Sequence, residues 1–113
     1  MTRPFAIAIA GIVLAAHAQG ARPPITIEGV FVDAANGTGI PNARVELRQR
    51  HWGFPLEPAE TPLATTTTDQ KGRFHFTGSW HGRFRLWCFS HDRRKMGIRE
   101  IAGEQRDIRI VGD

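Results

Sequence analysis

Cysteine, tyrosine and lysine are scarce or absent in this chain of 113 residues, which has one Cys, no Tyr and two Lys. A single Cys excludes an intramolecular disulfide, so the fold must depend on packing and hydrogen bonding. The composition is 41% hydrophobic and 23% charged, close to the averages of folded soluble domains. These values exclude bulk disorder, collagen, a disulfide-rich miniprotein and a long coiled coil. The length predicts one domain with a single core.

The charge is basic, but the basic residues are dispersed. The chain has 15 Lys and Arg against 11 Asp and Glu, a net charge of +4 with His neutral. A nucleic-acid-binding domain usually concentrates its basic residues on one stripe or helix face. Here the densest cluster is the triplet Arg93, Arg94 and Lys95. We therefore predict no nucleic-acid partner.

Long apolar runs are also missing, apart from one of 12 residues over Phe5–Ala16. Arg3 precedes it, and Ala16-His17-Ala18 follows as an A-x-A cleavage site, which is the pattern of a secretory signal peptide over 1–18. A run of this length is too short to cross ~30 Å of hydrocarbon. We therefore predict a mature chain that begins at Gln19, is periplasmic or secreted, and has no membrane insertion after cleavage.

Helical periodicity is absent from the remainder, and short alternating runs separated by turn residues predict an all-β domain. A lead-in over 19–24 precedes the domain, which spans 25–113. Three prolines predict an extended, irregular loop over 51–62. The predicted strands cover 25–33, 43–50, 63–68, 73–76, 83–90, 97–101 and 106–111. Seven short strands at this spacing predict a two-sheet β-sandwich.

Alternation within the strands assigns side chains to the core or to the solvent. In the fourth strand, Phe74 and Phe76 face the core and His75 faces outward. In the fifth strand, Cys88 shares the inner face with Phe84 and Leu86, so we expect a small buried hydrophobe rather than a nucleophile. The second strand has Ala43, Val45 and Leu47 inward, and the first has Ile27, Gly29 and Phe31 on one face.

Four segments in order resemble carboxypeptidase regulatory-like domains. They are IEGVFVD at 27–33, GIPNARVEL at 39–47, TTTDQKGRFHF at 66–76 and GRFRL at 82–86. The resemblance implies a transthyretin-like (prealbumin-like) sandwich of immunoglobulin-like architecture, in which Gly29 marks a close approach or bulge and the Asp69–Gly72 turn sets a hairpin register. It implies a scaffold, which does not by itself define a function.

Catalytic and metal-binding patterns are missing from the sequence. The mature chain has four His with no close metal-motif spacing, and no G-x-S-x-G nucleophile motif. Ser90 and His91 are adjacent on the chain, so a strand would point them to opposite faces. We therefore predict no catalytic residue, no metal site and no cofactor.

The candidate binding residues are aromatic residues and arginines. Alternation places Arg83, Arg85, Trp87 and Phe89 on the outer face of strand five, and Trp52 and Trp80 fall in loops. Exposed Trp and Arg are typical of interfaces. Two structural alternatives are that Trp52 and Trp80 cover the ends of the sandwich, and that the loop over 51–62 folds onto Trp87 and Phe89.

Three hypotheses of function follow. The first is an exported, non-catalytic module that binds another protein or assembles with itself. The second is a carbohydrate- or glycan-binding module that stacks sugar rings on Trp52 and Trp80. The third is a small hydrolase or metal-binding protein.

Overall fold

The structure is a computed structural model, and it describes residues 23–52 and 58–113. These residues form seven strands and no helix: β1 (Ile25–Asp33), β2 (Arg44–Trp52), β3 (Pro58–Thr67), β4 (Arg73–Gly78), β5 (Arg83–Phe89), β6 (Met96–Ala102) and β7 (Gln105–Gly112). The predicted all-β class is confirmed. Within this described part of the chain, no helix is long and apolar enough to span a membrane.

The strands form two sheets. One has three strands in the order β4-β1-β7, and the other has four in the order β3-β2-β5-β6. Strands β1 and β7 pair in parallel, and the other named pairs are antiparallel. The predicted seven-stranded, two-sheet β-sandwich is therefore confirmed.

The core lies between the two sheets and is formed by alternate residues of the strands. Phe74 and Phe76 are 4% and 5% exposed, whereas His75 between them is exposed. Strand β5 alternates in the same way, because Phe84, Leu86 and Cys88 are buried. The core residues are Ile27, Phe31, Ala43, Val45, Leu47, Phe74, Phe76, Phe84, Leu86, Cys88, Ile101, Ile108 and Ile110.

The prediction of an irregular loop over 51–62 is wrong at both ends. Strand β2 continues to Trp52 and β3 begins at Pro58, so the two strands pair along this segment. The reason is that β3 is an edge strand, where the missing N–H of a proline need not interrupt a ladder. Pro62 lies next to a register shift, since Leu47 pairs with Ala64 while Arg48 pairs with Pro62.

Gly29 has the structural role that the sequence predicted. The register between β1 and β7 shifts between Ile27 and Gly29, with Ile27 opposite Gln105 and Gly29 opposite Ile108. A Cβ atom at Gly29 would lie 2.3 Å from the carbonyl oxygen of Ile108. Only glycine therefore allows the two strands to approach this closely at the bulge.

The turn between β3 and β4 also follows the prediction. The Asp69 carboxylate accepts hydrogen bonds from the backbone N–H groups of Lys71 and Arg73, at 2.8 and 2.9 Å. Gly72 adopts a φ of 79°, in the left-handed region that favours glycine. The backbone hydrogen bond from Arg73 is the largest contribution that holds the pKa of Asp69 below its ordinary value.

Candidate interaction surface

The outer face of the four-stranded sheet brings together most of the residues predicted on strand β5. Antiparallel register places side chains of β2, β5 and β6 opposite one another in three rows. The rows are Arg44–Phe89–Met96, Glu46–Trp87–Ile98 and Arg48–Arg85–Glu100. These nine side chains form a grid, because the intervening residues of each strand point toward the other sheet.

Apolar side chains occupy one corner of this grid, and we name Trp87, Phe89, Met96 and Ile98 the aromatic patch. Met96 and Ile98 are 44% and 43% exposed, and Trp87 and Phe89 are half-buried. The rings of Trp87 and Phe89 are nearly parallel, with an angle of 15° and centroids 6.2 Å apart. Contiguous exposed apolar side chains on a sheet face are typical of an interaction site.

Hydrogen bonding and a cation–π contact hold the indole of Trp87 in place. Its Nε1 donates a hydrogen bond of 2.7 Å to Glu60 on the neighbouring part of the sheet. The guanidinium carbon of Arg48 lies 4.6 Å from the ring centroid. The ring is thereby fixed before any partner binds, which lowers the conformational entropy cost of association.

Six charged side chains lie next to the aromatic patch on the same face of the sheet, and we name them the charged frame. They are Arg44, Arg48, Arg85, Glu46, Glu60 and Glu100. Arg85 contacts Glu60 at 3.2 Å and Glu100 at 3.1 Å, while Glu46 accepts hydrogen bonds from both Arg44 and Arg48. With three cations and three anions, the charged frame has no net charge.

Glu46 illustrates how this frame is stabilised. Its partial burial alone would raise the pKa of the carboxyl group, but the hydrogen bond from Arg48 and the charges of Arg48 and Arg44 outweigh it. The pKa of Glu46 is therefore lower than its ordinary value of 4.5. The carboxylate is ionised at neutral pH and keeps both arginines on the sheet surface.

The remaining predicted binding residues lie outside this grid. Arg83 is exposed at the start of β5, on the same face but one row beyond Arg85. Trp80 packs against the core instead, with its ring edge-on to Phe76 at 6.5 Å and over Gly78. Trp52 ends β2, and its side chain lies outside the described residues. A role for these residues in binding, including glycan binding by Trp52 and Trp80, stays a prediction.

The position of Glu60 partly tests the alternative that the segment over 51–62 folds onto Trp87 and Phe89. This residue belongs to strand β3 and contacts Trp87 through its carboxylate, so part of the segment does lie beside the ring. It leaves Trp87 and Phe89 partly exposed. Residues 53–57 lie outside the described residues.

Met96 and Ile98 were missed as candidate residues. The alternation of strand β6 contains the signal, since Met96, Ile98 and Glu100 share one face. However, Ile98 and Ile101 are three residues apart, so their side chains point to opposite faces of the strand. Hydrophobicity alone does not say which of the two isoleucines faces the core. The pairing of Ile98 with Trp87 decides it, and pairing depends on the tertiary fold.

The nucleophilic side chains of Cys88 and Ser90 have structural surroundings. Cys88 is buried, and desolvation raises the pKa of its thiol to about 12, so the thiol is protonated at neutral pH. The Ser90 hydroxyl donates to Asp92 and accepts from the Lys95 amide, closing the loop between β5 and β6. No three His, Cys, Asp or Glu side chains come together as a metal-binding group in residues 23–52 and 58–113.

Comparisons with known proteins identify the fold. No protein-family model and no curated protein sequence matches the chain. The structure is similar to that of a streptococcal ancillary pilin, with 16% sequence identity, a TM-score of 0.57, and coverage of 81% of this chain and 30% of the pilin chain. It is also similar to a DUF3823 family protein from Parabacteroides merdae, with 13% identity, a TM-score of 0.54, and coverage of 80% and 46%.

The chain therefore spans less than half the length of either structure that it resembles. At these identities, the similarity shows a shared β-sandwich fold alone.

Proposed function

We propose that this protein is an exported, non-catalytic β-sandwich module that binds a protein partner through the aromatic patch. The observation that supports this proposal most directly is the position of the patch. Four large apolar side chains lie together on the outer face of a sheet, where folding of the described residues leaves Met96 and Ile98 more than two-fifths exposed. Trp, which the patch contains, and Arg, which borders it, are among the residue types most enriched at protein interfaces.

We further propose that the domain over 25–113 belongs with carboxypeptidase regulatory-like domains. Three features of the resembling segments support this assignment, because each has a structural role here. Gly29 permits the close approach of β7, the Asp69–Gly72 turn joins β3 to β4, and Phe74 and Phe76 are in the core. The fold shared with a streptococcal ancillary pilin is consistent with a role in assembly.

Export is part of the proposal, and it makes a prediction about the N-terminus. We expect the mature protein to begin at Gln19, because the A-x-A site ends at Ala18. N-terminal sequencing of protein recovered from the periplasm or the medium measures this directly. A chain recovered with its first 18 residues intact would exclude cleavage at this site.

Photo-crosslinking in the producing cells tests binding at the patch. A photoreactive amino acid at Ile98 is expected to crosslink to a defined protein, identified by mass spectrometry. The control is Val30 on β1, an aliphatic residue on the outer face of the other sheet, where it is half-buried. No adduct from position 98, or equal adducts from 98 and 30, would contradict a binding role of the patch.

A further inference from the structure

We propose that the partner is a second copy of this chain, packed face to face so that the strands of the two four-stranded sheets cross at about a right angle. This inference rests on the proposed function, since it names the occupant of the same surface. It follows from the order of side chains in the grid, which is self-complementary about one particular two-fold axis.

The axis lies in the plane of the interface, along the diagonal of the grid through Met96, Trp87 and Arg48. A two-fold rotation about this line exchanges the positions on either side of it. It places Phe89 of one copy against Ile98 of the other, so that an apolar residue meets an apolar residue. Trp87 lies on the axis and meets its own counterpart.

The same rotation also matches the charges. Arg44 of one copy faces Glu100 of the other, and Glu46 faces Arg85. Arg44 and Glu100 are the most exposed of these residues, at 59% and 50% of the side chain, so both can reach across. Arg48 meets its counterpart, but Glu46 and Glu60 of its own chain already lie beside it.

Spacing on the grid allows this arrangement. Neighbouring strands are ~4.8 Å apart and alternate residues along a strand are ~6.7 Å apart. With the axis at about 45° to the strands, exchanging the two directions therefore displaces paired side chains by about 2 to 3 Å, and the corner pair Arg44–Glu100 has the larger displacement. Arginine and glutamate side chains are long enough to absorb that displacement. Other in-plane axes give poorer matches: an axis along β5 places Arg44 over Met96 and Glu46 over Ile98.

Net charge also favours a second copy over a partner recruited by charge. Without Arg3 of the proposed signal peptide, the mature chain has 14 basic and 11 acidic residues, a net charge of +3. The charged frame is balanced, so the remaining residues account for the whole of this charge. An acidic partner would be attracted to those other surfaces. Two positively charged copies repel each other least where each presents a neutral face.

The expected affinity is modest. Four strands of this length cover about 450 Å² of sheet plane, which is at the low end for specific interfaces. We therefore expect a weak, concentration-dependent dimer, measured by sedimentation of the purified mature chain at up to about 1 mM.

Charge reversal provides a sharp test. Arg44→Glu and Glu100→Arg are each expected to weaken self-association by about tenfold or more, because each places like charges opposite one another twice in the dimer. An equimolar mixture of the two variants is expected to form a heterodimer with close to wild-type affinity. In that heterodimer both contacts again join opposite charges.

Ile98→Glu is expected to abolish the dimer, whereas Val30→Glu, on the outer face of the other sheet, is the control and leaves it unchanged. Circular dichroism establishes that each variant is folded. A wild-type chain that is monomeric at about 1 mM, or charge variants that associate no better mixed than alone, would overturn the second-copy inference. In that case, a crosslink from position 98 to a different protein in cells would still support the proposed function, so the two failures are distinguishable.

Discussion

Phe74→Ala is expected to lower the free energy of unfolding by ~3–5 kcal/mol, because it removes a buried ring and leaves a cavity. Phe74 is 4% exposed and its ring centroid lies 6.3 Å from that of Phe76, on the inner face of the edge strand β4. Small domains have a total stability of about 5–15 kcal/mol, so this is a large fraction of it. Urea unfolding monitored by circular dichroism measures the loss.

His75→Ala is the matched control for this prediction. His75 is the next residue of the same strand, and it is exposed, with its ring contacting only Thr77 among the hydrogen-bonding side chains described. We expect a change within about 0.5 kcal/mol, as at other surface positions. Equal losses at residues 74 and 75 would mean that the two faces of β4 are assigned wrongly, since a shift of one residue exchanges them.

Local pattern was sufficient to predict the faces of most strands. The sequence RFHF over 73–76 alternates strictly between polar and apolar residues, and so does the sequence FRL over 84–86. The same period of two extends to Cys88, which is why these buried residues could be named without a structure. The turn at Asp69–Gly72 was predictable for the same reason, since its hydrogen bonds span no more than four residues. Such features depend on neighbours along the chain.

Features that depend on distant residues could not be predicted. The strand β3 begins five residues before the predicted start, because its prolines are tolerated only at a sheet edge, and strand order decides which strand is an edge. Trp80 was predicted as a surface candidate, but its ring packs on Phe76 after the β4–β5 connection folds back. Burial of a loop residue follows from the path of the loop.

In the candidate surface, too, some features follow from neighbours along the chain and others depend on distant residues. Alternation placed Trp87 and Phe89 on the outer face, yet it gave no information about their neighbours across the sheet. The hydrogen bond from Trp87 joins it to Glu60, which is 27 residues away along the chain. The grid and the two-fold complementarity inferred from it can be recognised only when the registers of β2, β5 and β6 are known.

Gly29→Ala is expected to be as disruptive as the loss of a core ring, for a reason of backbone proximity. The added Cβ would lie 2.3 Å from the carbonyl oxygen and 2.7 Å from the Cβ of Ile108. Neither atom is the end of a flexible side chain, so β1 and β7 must separate. Overpacking typically costs 1–3 kcal/mol, and a clash with a backbone carbonyl falls at or above about 3 kcal/mol.

Gly103→Ala separates this steric effect from the general effect of replacing a glycine. Gly103 has a φ of 82° and no heavy atom within 4 Å of an added Cβ, so only backbone strain of roughly 1–2 kcal/mol applies there. Urea unfolding compares the two variants, and hydrogen exchange of the β7 amides reports on separation of the strands. We expect faster exchange in β7 for Gly29→Ala alone. If Gly29→Ala lowers the free energy of unfolding no more than Gly103→Ala does, then the pairing of β1 with β7 does not require a glycine at position 29.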